Sequence, residues 1–139
     1  MNRIILSVAF SLISLHAVCG ENKSHINPYL HGKCVGMVTK LSEYANTEVL
    51  TLKLYNIGQV LHAYGKYTAL KSNNADTALY DQGLVDGRET VSKNIENNNF
   101  NVLVKYYEDN CLEIFYKSAD WLYHNNIHQF NKLTDIFNK

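Results

Sequence analysis

The stretch NPYLHGKCVGMVTKL, residues 27–41, predicts the fold class of the chain. Asn is a preferred helix N-cap, and Pro fits the first helical position, where no backbone N–H is needed, so Asn27-Pro28 predicts a helix start. The apolar residues that follow recur at helical spacing: Leu30, Cys34, Met37, Val38 and Leu41. The stretch therefore predicts an amphipathic first helix, which continues to about residue 45.

Four further apolar stripes with helical spacing follow this helix. Asn46 or Thr47, then Asn73 and the run Asn97–Asn99, supply capping and turn residues between them. The alternation over residues 49–54 resembles a strand, but its flanks continue the helical period. We predict helices at about 28–45, 48–68, 75–96, 100–123 and 127–137. Short loops favour antiparallel neighbours, so we expect an all-α domain over residues 21–139: an antiparallel four-helix bundle with a short C-terminal helical extension.

Residues 1–20 have the pattern of a cleaved secretory signal. A positive start ending at Arg3 precedes the apolar-to-small run Ile4–Leu15, which is too short to span a bilayer. Cleavage after Gly20 would place small residues at the cleavage site. A lipoprotein that begins at Cys19 is the alternative, but the residues before it fit a lipobox poorly. No later run approaches membrane-spanning length, so we expect no membrane span in the mature chain.

The two cysteines that remain after cleavage, Cys34 and Cys111, predict a disulfide in an oxidising compartment. Neither belongs to a Cys-x-x-Cys motif, and the single neighbour His31 does not complete a redox or metal site. Animal secreted domains of this size usually carry more cysteines. We therefore expect the bacterial periplasm as the location, with secretion as the alternative.

The charge of the chain limits the classes of partner. The sequence holds 13 basic and 13 acidic residues, and Arg3 is the only charged residue in the predicted signal, so the mature chain has a net charge of −1. Without a basic stripe, nucleic acids and anionic lipid surfaces are poor partners. The sequence also lacks the common phosphate-loop, nucleophile-elbow, haem and zinc-protease motifs, and we expect no cofactor.

Several residues are weak site candidates. His124 and His128 are four apart, as metal ligands on one helix would be, but Asn125-Asn126 between them favours a helix break and solvated histidines. Two carboxylate groups, at 81–89 and 108–113, have the spacing of ordinary solvated helix faces rather than of a glycosidase pair. We expect neither group to form an active site.

Glycine inside a helix costs about 1 kcal/mol relative to Ala, so each one calls for a reason. Gly83 and Gly87 lie four apart, and Gly58 and Gly65 lie seven apart. Close helix packing is the ordinary explanation. The alternative is a groove for a ligand or a partner, with walls from three tyrosines: Tyr64, Tyr67 and Tyr80.

The final stripe contains Phe130 and Phe137. If this segment packs on the bundle, its apolar residues belong to the core. If it does not, they form an exposed apolar face of the kind that marks a partner site. We favour the packed arrangement. Tyr is also enriched where proteins meet, and the chain has 10 of them.

Three functional hypotheses fit these observations. The leading one is an exported, non-enzymatic helical protein that binds another protein, for example as an inhibitor or immunity-type protein in the periplasm. The second is a carrier of a small ligand or metal that uses the bundle interior. The third is a small hydrolase whose site has no recognisable sequence pattern.

Overall fold

The computed structural model describes residues 26–138, and the predicted signal peptide lies outside this range. The described part of the chain contains helices and turns and no strand, which confirms the all-α prediction. The six α-helices and a final 3-10 turn are α1 (Pro28–Ser42), α2 (Glu48–Ser72), α3 (Asn74–Glu96), α4 (Phe100–Asn110), α5 (Leu112–Asn125), α6 (Ile127–Thr134) and η1 (Asp135–Asn138). Within residues 26–138, every helix is too short or too polar to cross a bilayer.

Three predicted helix starts are confirmed by their caps, whereas Asn99 before α4 makes no side-chain cap bond. The side-chain oxygen of Asn27 accepts a hydrogen bond from the Leu30 amide at 3.2 Å. Thr47 Oγ1 accepts from the Leu50 amide at 3.1 Å, and Asn73 Oδ1 accepts from the Asp76 amide at 2.8 Å. Each cap satisfies a backbone N–H that has no partner within its own helix.

The core is centred on α1, which lies against both α2 and α3. Cys34, Met37 and Val38 on α1 have no solvent exposure. The other helices contribute the remaining large buried side chains, among them Leu54, Ile57, Leu61, Val91, Leu103, Phe115 and Leu122. One continuous apolar core of this kind supports the single-domain architecture.

The contact between α1 and α3 is the most extensive in the molecule and is made by backbone atoms. A Cβ on Gly36 would lie 2.1 Å from the Leu84 carbonyl oxygen, and a Cβ on Gly83 would lie 2.1 Å from the Tyr29 carbonyl oxygen. Gly32 and Gly87 make equivalent approaches at 2.0 and 2.2 Å. Because residue numbers rise together on both helices, α1 and α3 are parallel. We call these four residues the glycine contact.

Helix α2 runs antiparallel to α1, with Gly58 beside Thr39 and Gly65 beside His31. The absence of a Cβ at Gly58 admits the Thr39 methyl group, and the absence of one at Gly65 admits aromatic rings. These two glycines therefore make room for side chains, whereas the glycine contact makes room for backbone.

The predicted disulfide is confirmed: Cys34 and Cys111 are bonded, with their Cα atoms 5.5 Å apart. The predicted fourth helix, about 100–123, is wrong in one respect, because it is divided at Cys111 into α4 and α5. The apolar period continues through the break without Gly or Pro. The division falls at the residue that is bonded to α1, and next to it the side-chain Nδ2–H of Asn110 donates to the Tyr106 carbonyl at 3.0 Å.

In the predicted bundle the first and fourth helices are antiparallel neighbours joined by the disulfide. Contact between α1 and α4 is small and lies near the disulfide, and α1 packs mainly on α3. The reason is the glycine contact, which lets two parallel helices approach more closely than side-chain packing would allow.

The C-terminal segment packs on the bundle, as the favoured interpretation predicted. Phe130, Leu133 and Phe137 are partly buried against the core. The amide of Asn56 on α2 donates to the Leu133 carbonyl at 2.9 Å, and the Tyr123 and Phe130 rings meet edge to face at 5.3 Å. This segment thus forms one wall of the surface described next.

Candidate partner-binding surface

The first half of helix α2 carries three large apolar side chains that face solvent. Val49, Leu52 and Tyr55 follow one another at intervals of three residues and are 56%, 44% and 49% exposed. This spacing places them along one side of the helix. Isolated exposed apolar residues are ordinary on protein surfaces, but a row of three is a contiguous patch.

Leu52 and Tyr55 of this row line an open groove between α2 and the C-terminal segment, which we call the α2–α6 groove. Its residues are Leu52, Tyr55, Asn56, Gln59, Lys132, Leu133 and Asp135. The hydrogen bond from Asn56 to the Leu133 carbonyl crosses the groove. Asn56 is itself buried, so this bond joins the two walls. The result is a shallow surface with Leu52 and Tyr55 near polar groups of both charge signs.

An aromatic cluster lies farther along α2, where it meets α5. The ring centroids of Tyr67 and Trp121 are 4.6 Å apart, and those of Tyr64 and Trp121 are 5.5 Å apart. Tyr67 is 37% exposed. Trp121 is the only tryptophan in the chain, so its fluorescence reports on this one location.

Behind the aromatic cluster lies His31, which is 1% exposed. Its Nε2–H donates to the Leu61 carbonyl at 2.8 Å. Burial lowers the pKa of His31 to about 4; the bond to Leu61 raises this pKa and the nearby His62 lowers it. His62 is hydrogen-bonded through Nδ1 to the Tyr80 hydroxyl at 2.8 Å, and burial also lowers the His62 pKa.

The structure separates the three tyrosines that were predicted to line one groove. Tyr64 and Tyr67 lie in the aromatic cluster, but Tyr80 is buried, and its ring contacts that of His31 at 5.8 Å between centroids. Burial raises the pKa of the Tyr80 hydroxyl. The groove interpretation is therefore wrong for Tyr80. It is also wrong for Gly83 and Gly87, because the α1 backbone fills the space beside them.

The remaining candidates occupy different parts of the fold. His124 ends α5, where its Nδ1–H donates to the Asp120 carbonyl at 2.8 Å, and His128 lies in α6 beyond the break at Asn126. Across residues 26–138, no three metal-ligating side chains are grouped as a metal site would need. Phe130 and Phe137 pack against the core rather than forming an exposed face.

The carboxylates hold ordinary surface interactions. Lys117 pairs with Glu113 at 2.7 Å and Lys105 pairs with Asp109 at 3.1 Å, each one helical turn apart. Asp86 accepts hydrogen bonds from the Tyr29 hydroxyl and the Gln82 amide, both at 2.8 Å. These contacts support helix faces and the packing of α1 on α3.

Sequence reasoning missed the most exposed apolar row. Leu50, Leu54 and Ile57 form the inward stripe of α2, and Val49, Leu52 and Tyr55 lie off that stripe. The sequence signal for this row was the presence of apolar residues outside the inward stripe of the helix. It also missed Gly32 and Gly36 on α1, whose four-residue spacing matches that of Gly83 and Gly87.

Comparison with known proteins adds no assignment: no protein-family model matches the sequence, and neither the curated proteins nor the solved structures gave a match.

Proposed function

We propose that this chain is an exported, non-enzymatic protein that acts by binding another protein through the α2–α6 groove. The observation that supports this most strongly is the row Val49, Leu52 and Tyr55, about half exposed along one side of α2. Removing such a row from water would supply the free energy of association.

The composition of the groove fits a protein partner better than a small molecule. Leu52 and Tyr55 are flanked by Gln59, Lys132 and Asp135, so apolar groups lie beside polar groups. Protein interfaces have this pattern of an apolar centre and a polar rim, and Tyr is enriched in them. Small-ligand sites, by contrast, are usually concave enough to bury most of the ligand, whereas this groove is open.

An inhibitor or immunity-type protein of the periplasm is the form of this function that we favour. The N-terminal export pattern supports passage through a membrane, and the buried Cys34–Cys111 bond is compatible with an oxidising compartment. A near-neutral mature chain also suits recognition of a protein rather than of a polyanion.

The test is affinity capture from periplasmic and secreted extracts with the oxidised mature chain, residues 21–139, and two double variants of it. Leu52→Glu with Tyr55→Glu places charge in the groove. Val85→Glu with Val102→Glu is the matched control, because these side chains are 53% and 55% exposed on α3 and α4. Since all four positions are exposed, we expect each substitution to change stability by no more than about 0.5 kcal/mol.

We expect the wild-type chain and the control to retain one stoichiometric protein, and the groove variant to lose it by at least tenfold in affinity. Such a loss corresponds to about 1.4 kcal/mol or more, within the range of interface residues that matter. Retention of the partner by the groove variant, or loss of it by both variants, would exclude this groove as the binding surface.

A further inference from the structure

His31 is a titratable ring held in an apolar site between three helices. It lies one turn into α1, 1% exposed, with its own amide bonded to the Asn27 carbonyl. Its ring fills the space left by Gly65, where a Cβ would come within 2.9 Å of Nε2. The Tyr64 and Tyr80 rings flank it, each with its centroid 5.8 Å from that of His31.

The surroundings of His31 disfavour a positive charge. The first turn of α1 contains no acidic residue, so the positive end of the helix dipole next to His31 is uncompensated. Helix α2 contributes His62 and Lys66 on the adjacent side, both cationic when protonated, and α3 contributes the Tyr80 hydroxyl and Asp81. Asp81 acts on His62 and Tyr80, and the nearest polar partner of the His31 ring is the neutral Leu61 carbonyl.

We propose that His31 makes the start of α1 an acid-sensitive contact: protonation of this ring releases the first turns of α1 from α2, while the disulfide holds the rest of α1 in place. Cys34 lies three residues after His31 and is bonded to Cys111, and the glycine contact continues to Gly36. The release is therefore local. It exposes the Tyr64 ring, which belongs to the aromatic cluster, and the neighbouring Tyr80 ring. The release does not depend on any partner of the α2–α6 groove.

The direction of the pH dependence follows from the pKa of His31 in the closed and open states of the contact. In the closed state the pKa of His31 is about 4, whereas in the open, hydrated state it returns to its ordinary value of 6.5. The open state therefore binds the proton more tightly. Stability of the contact is complete above pH 6.5 and is lost as the pH falls toward 4. These values predict an increase of about 100-fold in the opening equilibrium constant between pH 7 and pH 4.

Amide hydrogen exchange by NMR, corrected for the intrinsic effect of pH, measures this constant directly. We expect the 100-fold rise at residues 31–33 and 61–66 and a much smaller one at residues 37–41 and 114–122. His31→Gln keeps an N–H donor and does not titrate, so the rise should disappear. His62→Gln should retain it, and His124→Gln, on an exposed side chain, is the matched control.

Three results would overturn the proposal: unchanged protection at residues 31–33, an equal loss of protection through the whole core, or an unaltered rise in His31→Gln. If His31→Gln does not fold, titration of the His31 ring protons in the wild-type chain decides the question. A ring pKa at or above 6 contradicts the proposal.

Discussion

Two contacts between helices in this fold are of different kinds: that of α1 with α3, and that of α2 with the C-terminal segment. On one side, α1 meets α3 through the glycine contact, where backbone lies on backbone and no side chain intervenes. On the other side, α2 meets the C-terminal segment across an open groove, joined by the Asn56 hydrogen bond and bordered by half-exposed apolar side chains.

The difference shows where this fold tolerates change. Backbone atoms in a helix cannot move aside, so only glycine fits at each position of the glycine contact. Side chains along the groove are partly hydrated and can be replaced at low cost in stability. Residues of the glycine contact therefore maintain the fold, and side chains along the groove are available for function.

Removal of the disulfide is the change with the largest expected effect on this comparison, because it detaches α1 from the α4–α5 junction. The double substitution Cys34→Ser with Cys111→Ser frees a loop of 77 residues. The chain-entropy relation gives a loss of about 4 kcal/mol in unfolding free energy. We expect the melting temperature of the oxidised protein to fall by about 15 °C in a calorimetric scan.

The control for this prediction is reduction. A reducing agent should lower the melting temperature of the wild-type chain by a similar amount and leave the double variant unchanged. A double variant that melts with the wild-type chain would show that the bond contributes nothing to stability.

Substitution within the glycine contact has the next largest effect. In Gly36→Ala, the new Cβ would lie 2.1 Å from the Leu84 carbonyl oxygen, so α1 and α3 must separate. The gain in helix propensity, about 1 kcal/mol, is smaller than the cost of overpacking against backbone. We expect a net loss of about 3 kcal/mol in unfolding free energy, measured by urea denaturation.

Gly58→Ala is the matched comparison, since its Cβ would meet the Thr39 methyl group, a side-chain atom, at 2.7 Å. A side chain adjusts more readily than backbone, so the loss should stay near 1 kcal/mol. Equal stability of the two variants would mean that α1 and α3 are not held by backbone contact.

The smallest of the three effects is expected at the groove. Asn56→Ala removes the one side-chain hydrogen bond that crosses from α2 to the Leu133 carbonyl. A bond of this kind contributes about 1 kcal/mol to the free energy of unfolding. Urea denaturation should show a loss of about 1 kcal/mol, against almost none for Asn101→Ala on the exposed face of α4. A loss of 3 kcal/mol would place the groove among the fold-maintaining contacts.

Local signals in the sequence predicted much of this fold. The caps at Asn27, Thr47 and Asn73 and the apolar period of each helix depend on residues within one or two turns, so they can be recognised along the chain. The disulfide was predictable because only two cysteines lie outside the predicted signal, and two cysteines allow a single intramolecular pairing.

What the sequence did not predict depends on contacts between distant segments. The break at Cys111 interrupts a continuous apolar stripe at the residue that is bonded to α1, at a separation of 77 residues. The burial of Tyr80 follows from Gly65 on the neighbouring helix, which no pattern within α3 reveals. The candidate surface was hidden for the same reason, since its two walls come from α2 and the C-terminal segment.

The glycine contact alone does not determine the register of α1 along α3. Glycines four residues apart repeat after about one turn, so sliding α1 along α3 by four residues would again place a glycine against backbone. Two side-chain interactions with the middle of α3 remove this ambiguity: Tyr29, at the start of α1, bonds to Asp86 at 2.8 Å, and Glu43, just after α1, pairs with Arg88 at 2.6 Å. The distance between the two helices and their register therefore have separate causes.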